Sequence, residues 1–201
     1  MNYSKKLINY SFPDDAELFF TSDSHFNHLN IIKFCNRPFK DVEEMNEKLI
    51  ENWNKVVPKD GIVFHLGDFA LGGNWNDIIN RLNGKIHLIV GNHDNKSMRQ
   101  SYMDKFESVE YQMLLKIGER YVYLNHYPFL CYGGTYRKDD DAVWQLYGHV
   151  HSYPDNTGKD KDRLVYTFPF QYDVGVDNNN YFPISWKEIK EKIENNVRKI
   201  I

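Results

Sequence analysis

Residues 88–96 read LIVGNHDNK, an apolar run that stops at the four residues GNHD. Short runs of about four to eight apolar and β-branched residues bounded by Gly or Asn are typical of buried strands. In layered α/β folds, ligand sites lie beyond the carboxyl ends of such strands. The stretch therefore predicts a buried strand whose end carries Asn92, His93 and Asp94 into a site.

Further runs end in the same way, at polar residues that bind metals well. They are LFFTSDSH (18–25), IVFHLGD (62–68), YVYLNH (121–126) and WQLYGHVH (144–151). Because each run reads as a strand, we expect all of these ends to converge at one edge of a layered fold. The repeated pattern predicts an α/β protein with one composite site.

Two helices are predicted between the first strands. Asp41 and Glu44 form an N-terminal cap pair, and an apolar stripe with helical spacing follows. The stripe consists of Val42, Met45, Leu49, Trp53 and Val56. A second helix is predicted from residue 74 to Gly84, because glycine ends helices well. Alternating strands and helices favour an α/β layered start.

The second half of the chain is predicted to be mostly sheet. Residues 109–126 read as a hairpin that turns at Gly118, and residues 163–168 and 171–177 also read as strands. Residues 131–144 and 151–163 are rich in Gly, Pro, Asn and Asp and predict exposed loops.

A closing helix is predicted after residue 185. Ser185 and Glu188 form a capping box, and Ile184 and Ile189 a hydrophobic staple. The apolar stripe of this helix consists of Trp186, Ile189, Ile193 and Val197. Such a stripe indicates a helix that packs on the core.

Composition places limits on the class of protein. With 201 residues and 41% hydrophobic residues, the chain is predicted to form a single domain over residues 1–201. The formal net charge of −3 supplies no broad positive field, so extended binding to nucleic acid is not expected.

Cys35 and Cys131 match no disulfide or metal spacing, and no window approaches the roughly 20 apolar residues of a membrane-spanning helix. We expect a cytoplasmic protein without membrane contacts, of undetermined oligomeric state.

The residues at the strand ends form a set of nitrogen and oxygen ligands. Its members are Asp23, His25, Asp68, Asn92, His126, His149 and His151. Such ligands suit manganese, iron, zinc, nickel or cobalt. The set is larger than the roughly three protein ligands of one catalytic zinc, so two divalent ions are the simpler interpretation. If Asp68 bridges the ions, the other ligands divide evenly between them.

The same residues match a series of ordered motifs. DxH stands at 23–25, GD at 67–68, GNHD at 91–94, a lone histidine at 126 and GHxH at 148–151. In this combination and order the sequence resembles the calcineurin-like metallophosphoesterase superfamily. The segment YDVGVDNNNYFPIS (172–185) is similar to the closing segment of its small prokaryotic and phage members. The resemblance implies a four-layer α-β-β-α sandwich, with two stacked sheets flanked by helices and a dimetal centre at the loop ends.

The resemblance also implies a role for each motif residue. One ion would be held by Asp23, His25, Asp68 and His151, and the other by Asp68, Asn92, His126 and His149. His93 would lie over the substrate and protonate the leaving oxygen, with Asp94 orienting its ring. The implied reaction is hydrolysis by a metal-activated water, with manganese as the preferred ion and no covalent enzyme intermediate.

Some residues outside the motifs have a structural and a functional interpretation. His65 and His87 are expected to pack within strands, and His28 is expected to be structural, with a substrate contact as the alternative. Arg37 is either a surface arginine or a clamp that, together with Asn27 or His28, binds a substrate phosphate above the metals.

Departures from the protein phosphatase branch narrow the substrate class. That branch has an arginine-bearing YVDRG-type segment after GD and reads GNHE, whereas this chain reads GDFALGG (67–73) and GNHD. The resemblance therefore implies a small phosphodiester or nucleotide substrate, with phosphomonoesters as the alternative.

A catalytically weak scaffold and a nucleic-acid-binding module are the non-enzyme alternatives, which metal-dependent turnover would exclude. A metallo-β-lactamase-type hydrolase is disfavoured because the chain has no early HxHxDH cluster.

Overall fold

The computed structural model describes residues 8–73, 75–94, 104–134, 142–153 and 161–198 of the chain. The strands in these ranges are β1 (Tyr10–Phe12), β2 (Leu18–Thr21), β3 (Ile62–His65), β4 (Lys85–Ile89), β5 (Ser108–Glu110), β6 (Gln112–Ile117), β7 (Arg120–Asn125), β8 (Trp144–Tyr147), β9 (Gln171–Asp173) and β10 (Ile184–Ser185). The helices are α1 (Leu29–Phe34), α2 (Val42–Val56), α3 (Trp75–Ile79), α4 (Lys161–Leu164) and α5 (Trp186–Arg198), with a short 3₁₀ turn at Val176–Asn178.

The strands form two sheets of five strands each. Sheet I has the order β1-β6-β7-β8-β9, and sheet II the order β10-β2-β3-β4-β5. In sheet II, β2 to β5 are parallel and β10 is antiparallel to β2. In sheet I the antiparallel pair is the predicted β6–β7 hairpin, which turns between Ile117 and Arg120. The predicted α/β fold with two stacked sheets is confirmed.

The main core lies between the two sheets. Phe20 of β2 and Phe64 of β3 stack at a ring distance of 5.4 Å and face Leu115, Leu124 and Leu146 of sheet I. Helix α5 contacts β2, β9 and β10, and its residues Trp186, Ile189 and Ile193 lie in the same cluster. Burial of this apolar surface is the main force that holds the sheets together.

The helices lie outside the sheets. Met45, Leu49 and Trp53 of α2 pack with Val63 and Leu88 on the outer face of sheet II, together with residues of α1 and α3. On sheet I, Tyr147 of β8 packs against Leu164 of α4. The predicted apolar stripe of α2 therefore faces a sheet, as expected for an amphipathic helix.

Both predicted helix caps are confirmed. Glu44 N donates to Asp41 Oδ1 (2.8 Å), and Lys40 N donates to the Glu44 carboxylate (2.7 Å). At α5, Ser185 N donates to Glu188 Oε2 (3.0 Å) and Glu188 N donates to Ser185 Oγ (3.3 Å). These reciprocal bonds satisfy backbone donors that helix starts leave open.

Three secondary-structure predictions are wrong in whole or in part. The strand predicted over residues 171–177 ends at Asp173, and Val176–Asn178 form a 3₁₀ turn. The helix predicted to reach Gly84 ends at Ile79, and the following residues form turns in which Asn83 Nδ2 donates to Val57 O (3.0 Å). Residues 163–168 are not a strand, because Leu164 belongs to α4 and is buried, whereas Val165 and Tyr166 are exposed. Residue 74 and residues 135–141 and 154–160 of the two predicted loops lie outside the described residues. Among the described helices, none has the apolar length needed to cross a bilayer.

Candidate metal centre

Hydrogen bonds join the loops that follow β2, β3, β7 and β8. Asp23 N donates to Gly67 O (2.9 Å), and Gly148 N donates to His126 O (3.0 Å). The two halves are connected because His149 N donates to Asp23 Oδ2 (2.8 Å). The predicted convergence of strand ends therefore exists as a bonded loop assembly.

One group of ligands comes from the loops after β2 and β8. His25 Nε2 and His151 Nε2 lie 4.0 and 3.9 Å from Asp23 Oδ1. With metal–ligand bonds of about 2.0–2.2 Å, two ligand atoms of one ion lie about 3 to 4 Å apart. The spacing of these three side chains fits one ion.

A second group surrounds His126. Its Nε2 lies 3.0 Å from Asn92 Oδ1, 3.2 Å from His149 Nδ1 and 3.6 Å from Asp68 Oδ2. The same Asp68 oxygen lies 3.5 Å from His25 Nε2. Asp68 therefore faces both groups, and the seven predicted ligands lie together.

The buried polar atoms of the first group fit a divalent cation. Within the described residues, Asp23 Oδ1 and His25 Nε2 are buried without a hydrogen-bond partner. A buried polar group left unsatisfied costs about 1–3 kcal/mol. A divalent cation bound by both atoms would remove this cost, and its hard oxygen and imidazole donors match the preferences of transition metals.

Three histidine rings are oriented by contacts to the nitrogen that faces away from the centre. His126 Nδ1 donates to Leu66 O (2.8 Å), and His151 Nδ1 donates to Asp177 Oδ2 (2.6 Å). His25 Nδ1 lies 3.1 Å from His28 Nδ1. Such contacts fix the ring orientation of metal-binding histidines.

The electrostatics of the centre also favour a cation. Burial and, after it, the neighbouring Asp23 carboxylate raise the pKa of Asp68 to about 7. Burial lowers the pKa of His25 well below its ordinary value. Neutral imidazoles and mutually repelling carboxylates are the groups that a bound divalent ion stabilises.

The backbone of the centre is unusual. Asp23, His25, Asp68, His149 and His151 all have φ between 45° and 72°. Left-handed backbone in non-glycine residues costs free energy of the order of 1 kcal/mol or more per residue and is concentrated at functional sites. The surrounding hydrogen bonds hold these residues in place.

Two motif glycines allow the loops to approach closely. A Cβ at Gly91 would collide with Asp68 Oδ1 and with Asp68 N, at 2.5 Å from the latter. A Cβ at Gly148 would collide with Ser22 Oγ and Asp23 Oδ2. The motifs therefore need glycine at these positions because of space rather than turn conformation.

A cavity of about 440 Å³ opens beside the ligands. His28, His93, Phe34 and Tyr153 line it together with several ligands. The His93 side chain is 38% exposed, and its Nε2 lies 4.0 Å from Asp68 Oδ2. His93 is therefore within reach both of the centre and of a molecule in this cavity.

Asp94 has a different position from the predicted one. Its carboxylate accepts hydrogen bonds from Asp68 N (2.8 Å), Phe69 N (2.9 Å) and Gly91 N (2.8 Å). The side chain is buried, and burial raises its pKa. We correct the prediction that Asp94 orients the His93 ring, because its oxygens instead hold the GD and GNHD loops together.

Arg37 also departs from its predictions. It is only 4% exposed, so it is not a surface arginine. Its guanidinium donates to Asp177 Oδ1 and Oδ2 and to the backbone oxygens of Asp23 (2.7 Å) and Ser24 (3.0 Å). The prediction that Arg37 is a phosphate clamp is therefore corrected, because these acceptors occupy its guanidinium group.

Asp177 is a residue of the centre that the ligand prediction missed. It lies in the segment 172–185, which is similar to the closing segment of the family, but no role was predicted for Asp177 itself. Asp173 in the same segment accepts hydrogen bonds from Ser152 Oγ (2.5 Å) and Gly175 N (2.8 Å) and so fixes the loop beyond His151.

The other residues outside the motifs have structural surroundings. Asn27 Nδ2 donates to Gly72 O (3.2 Å), and Asn27 Oδ1 accepts from Asn46 Nδ2 (2.8 Å), so its amide is directed away from the predicted substrate contact. His65 and His87 are buried in β3 and β4, as predicted. His28 is also buried, and it lines the cavity.

Comparison with known proteins gives a consistent assignment. The family model described as calcineurin-like phosphoesterase matches residues 17–177. An uncharacterised protein of Methanocaldococcus jannaschii is 37% identical over 187 residues, covering 89% of this chain and 92% of that protein. The gene 66 protein of mycobacteriophage L5 is 30% identical over 165 residues, and the match covers 68% of this chain and 78% of the phage protein.

A solved structure has a similar fold. It is that of a protein of unknown function from Aquifex aeolicus, which is 25% identical and superposes with a TM-score of 0.65. The match covers 88% of this chain and 99% of the Aquifex chain.

Proposed function

Because the chain belongs to the calcineurin-like phosphoesterase family, we propose that it hydrolyses small phosphodiesters with the help of two divalent metal ions, preferably manganese. The observation that carries the proposal is the position of Asp68. One oxygen of this residue lies within 3.5 Å of His25 and 3.6 Å of His126, between two groups of ligands. A carboxylate so placed is suited to bridge a pair of ions.

The bound pair would acidify a water molecule and clamp the phosphate oxygens. Asp23, His25, Asp68 and His151 would hold one ion, and Asp68, Asn92, His126 and His149 the other. The rings of His25, His126 and His151 are already oriented by contacts of their other nitrogen, so these ligands require little rearrangement on binding.

His93 would act on the leaving oxygen of the substrate. Its ring lies 5.1 Å from the His25 ring and 5.7 Å from the His28 ring, at the wall of the 440 Å³ cavity. From this position its Nε2 could donate a proton to the departing alcohol. Asp94 would support the step by holding the loop that carries His93.

The charge of the cavity supports diesters over monoesters. Among the described residues that line it, none is lysine or arginine. A phosphomonoester carries a charge of about −1.5 to −2 at neutral pH, whereas a diester carries one negative charge. Binding of a diester therefore requires less positive charge from the side chains of the cavity, in addition to the charge of the metal ions.

The test is hydrolysis of bis-p-nitrophenyl phosphate beside p-nitrophenyl phosphate. Metal-free protein is reloaded with manganese, nickel or zinc, and Asp68→Asn serves as the control variant. We expect turnover that depends on metal, favours the diester and is lost in the variant. Preference for the monoester would identify a phosphomonoesterase, and absence of turnover at full metal loading would support a scaffold protein.

A further inference from the structure

A second cavity of about 340 Å³ meets the first at the metal centre. Both are lined by His149 and Val150. The second cavity is lined in addition by the apolar residues Tyr127, Leu130 and Tyr166. We call it the aromatic groove, and it adjoins the site of the proposed reaction.

Exposed apolar side chains are concentrated at these two cavities. The large exposed apolar residues in the described part of the chain are Leu29, Phe34, Tyr111, Tyr127, Leu130, Val165 and Tyr166. Phe34 lines the first cavity and three others line the aromatic groove, which makes four of these seven. Exposed apolar surface that is grouped in this way indicates a binding site.

One wall of the groove is built on buried polar contacts. Gln145, which is fully buried, accepts from Phe129 N (2.9 Å) and donates to Tyr127 O (2.9 Å). Gln171 Nε2 donates to Phe129 O (2.9 Å). These bonds fix the backbone of residues 127–129, so the groove is preformed.

The aromatic groove begins directly beside the ligands. The Tyr127 ring lies 4.7 Å from the His149 ring and 4.9 Å from the His126 ring, edge to face in both cases. Tyr166, which is 69% exposed, and Leu130, which is 72% exposed, extend the apolar surface. An organic group bound in the aromatic groove is therefore close enough to belong to the same molecule as a phosphate at the metal centre.

We propose that the aromatic groove binds an aromatic ester arm of the phosphodiester substrate, of the size of a phenyl ring or nucleobase. The proposal rests on the proposed function. A diester has two organic arms, and the structure has two cavities that meet at the ligands, whereas a monoester would fill only one. Flat rings stack favourably on exposed tyrosine side chains.

The test is calorimetric binding of diphenyl phosphate and dimethyl phosphate to the manganese-loaded protein. Diphenyl phosphate is symmetric, so the result does not depend on which arm enters the groove. We expect the wild type to bind it about tenfold more tightly than dimethyl phosphate. Tyr166→Ala and Leu130→Ala should each reduce this ratio about threefold to fivefold, while the affinity for dimethyl phosphate is maintained.

Tyr111→Ala is the matched control, because Tyr111 is 68% exposed and lines neither cavity. Equal binding of the two diesters by the wild type, or a ratio unchanged in both groove variants, overturns the proposal. Light scattering adds a second readout. If the wild type is a dimer, the groove variants are monomers and the affinity ratio is unchanged, the groove is an interface between copies of the chain. That result also overturns the proposal. If the expected ratios appear without hydrolysis of bis-p-nitrophenyl phosphate, the groove assignment stands and the proposed hydrolysis fails.

Discussion

Arg37 and Asp177, which lie 140 positions apart in the chain, form a buried bidentate ion pair. Arg37 Nε donates to Asp177 Oδ1 at 2.9 Å and Arg37 Nη2 to Asp177 Oδ2 at 2.8 Å. Burial alone would raise the pKa of Asp177, but the charge of Arg37 holds it below the ordinary value. The pair joins the segment after β2 to the His151 ring, so it acts on the centre through the position of its ligands.

Replacing Arg37 tests this positioning role. Arg37→Ala would remove the buried cation that pairs with Asp177 and leave that carboxylate only its contact with His151, so we expect a loss of about 3–5 kcal/mol in the free energy of unfolding. Metal affinity should fall about 10- to 100-fold, because Asp177, which orients the His151 ring, is no longer held in place by Arg37. Denaturant unfolding and competitive metal titration measure these effects.

Arg37→Lys separates the two interpretations of this residue. Lysine keeps the charge but cannot reproduce the bidentate contact, so metal affinity should fall less than in Arg37→Ala. A higher KM with normal metal affinity in both variants would instead support the phosphate clamp.

Close loop packing predicts an effect of Gly148→Ala. The added methyl group would collide with Ser22 Oγ and Asp23 Oδ2, so we expect a destabilisation of about 1–3 kcal/mol and weaker metal binding. Gly72→Ala is the control, since its φ of 69° brings backbone strain but no atom lies within 4 Å of the added group. Metal content after dialysis should distinguish the two variants, and equal retention would contradict the prediction.

Asp94 and His93 should give different phenotypes. Asp94→Ala removes the acceptor for three buried backbone N–H groups, so each is left unsatisfied at a cost of about 1–3 kcal/mol. His93→Ala changes a partly exposed side chain, so stability should be maintained while kcat falls about 10²- to 10⁴-fold. Thermal unfolding and steady-state kinetics measure both. A stable Asp94→Ala protein with only a kinetic defect would restore the predicted role in orienting His93.

His65 should make the stability depend on pH. Burial lowers its pKa from 6.5 to about 3 in the folded protein. Between these values the unfolded chain binds the proton and the folded chain does not, so stability is complete above about pH 6.5 and decreases as the pH falls. The expected slope is about 1.4 kcal/mol per pH unit.

His65→Gln isolates this contribution, because glutamine can still bond to Ser24 Oγ, which lies 2.9 Å from His65 Nε2. Urea unfolding of the metal-free protein at about pH 7.5 and about pH 5.5 should give a smaller difference in the variant. Equal differences in the two proteins would show that His65 does not titrate in this way.

Local sequence determined the starts of α2 and α5, the strand ends and the set of candidate ligands. The caps at Asp41 and Ser185 depend on residues three positions apart, and the predicted bonds form. Strand ends were recognisable because apolar runs stop at polar residues, and parallel strands bring these ends to one edge. Residues 163–168 were mispredicted because a short apolar run is compatible with either strand or helix.

Only the tertiary structure decided what the polar side chains contact. Arginine and aspartate can bind phosphate, metal or each other, and nothing near Arg37 or Asp94 in the sequence selects among these partners. In the folded chain Arg37 reaches Asp177, and Asp94 accepts from three backbone N–H groups across two loops. The aromatic groove likewise combines residues 127–130 with residues 164–167. Hydrophobic periodicity and caps are short-range properties, whereas buried hydrogen bonds depend on distances that arise only when distant segments pack.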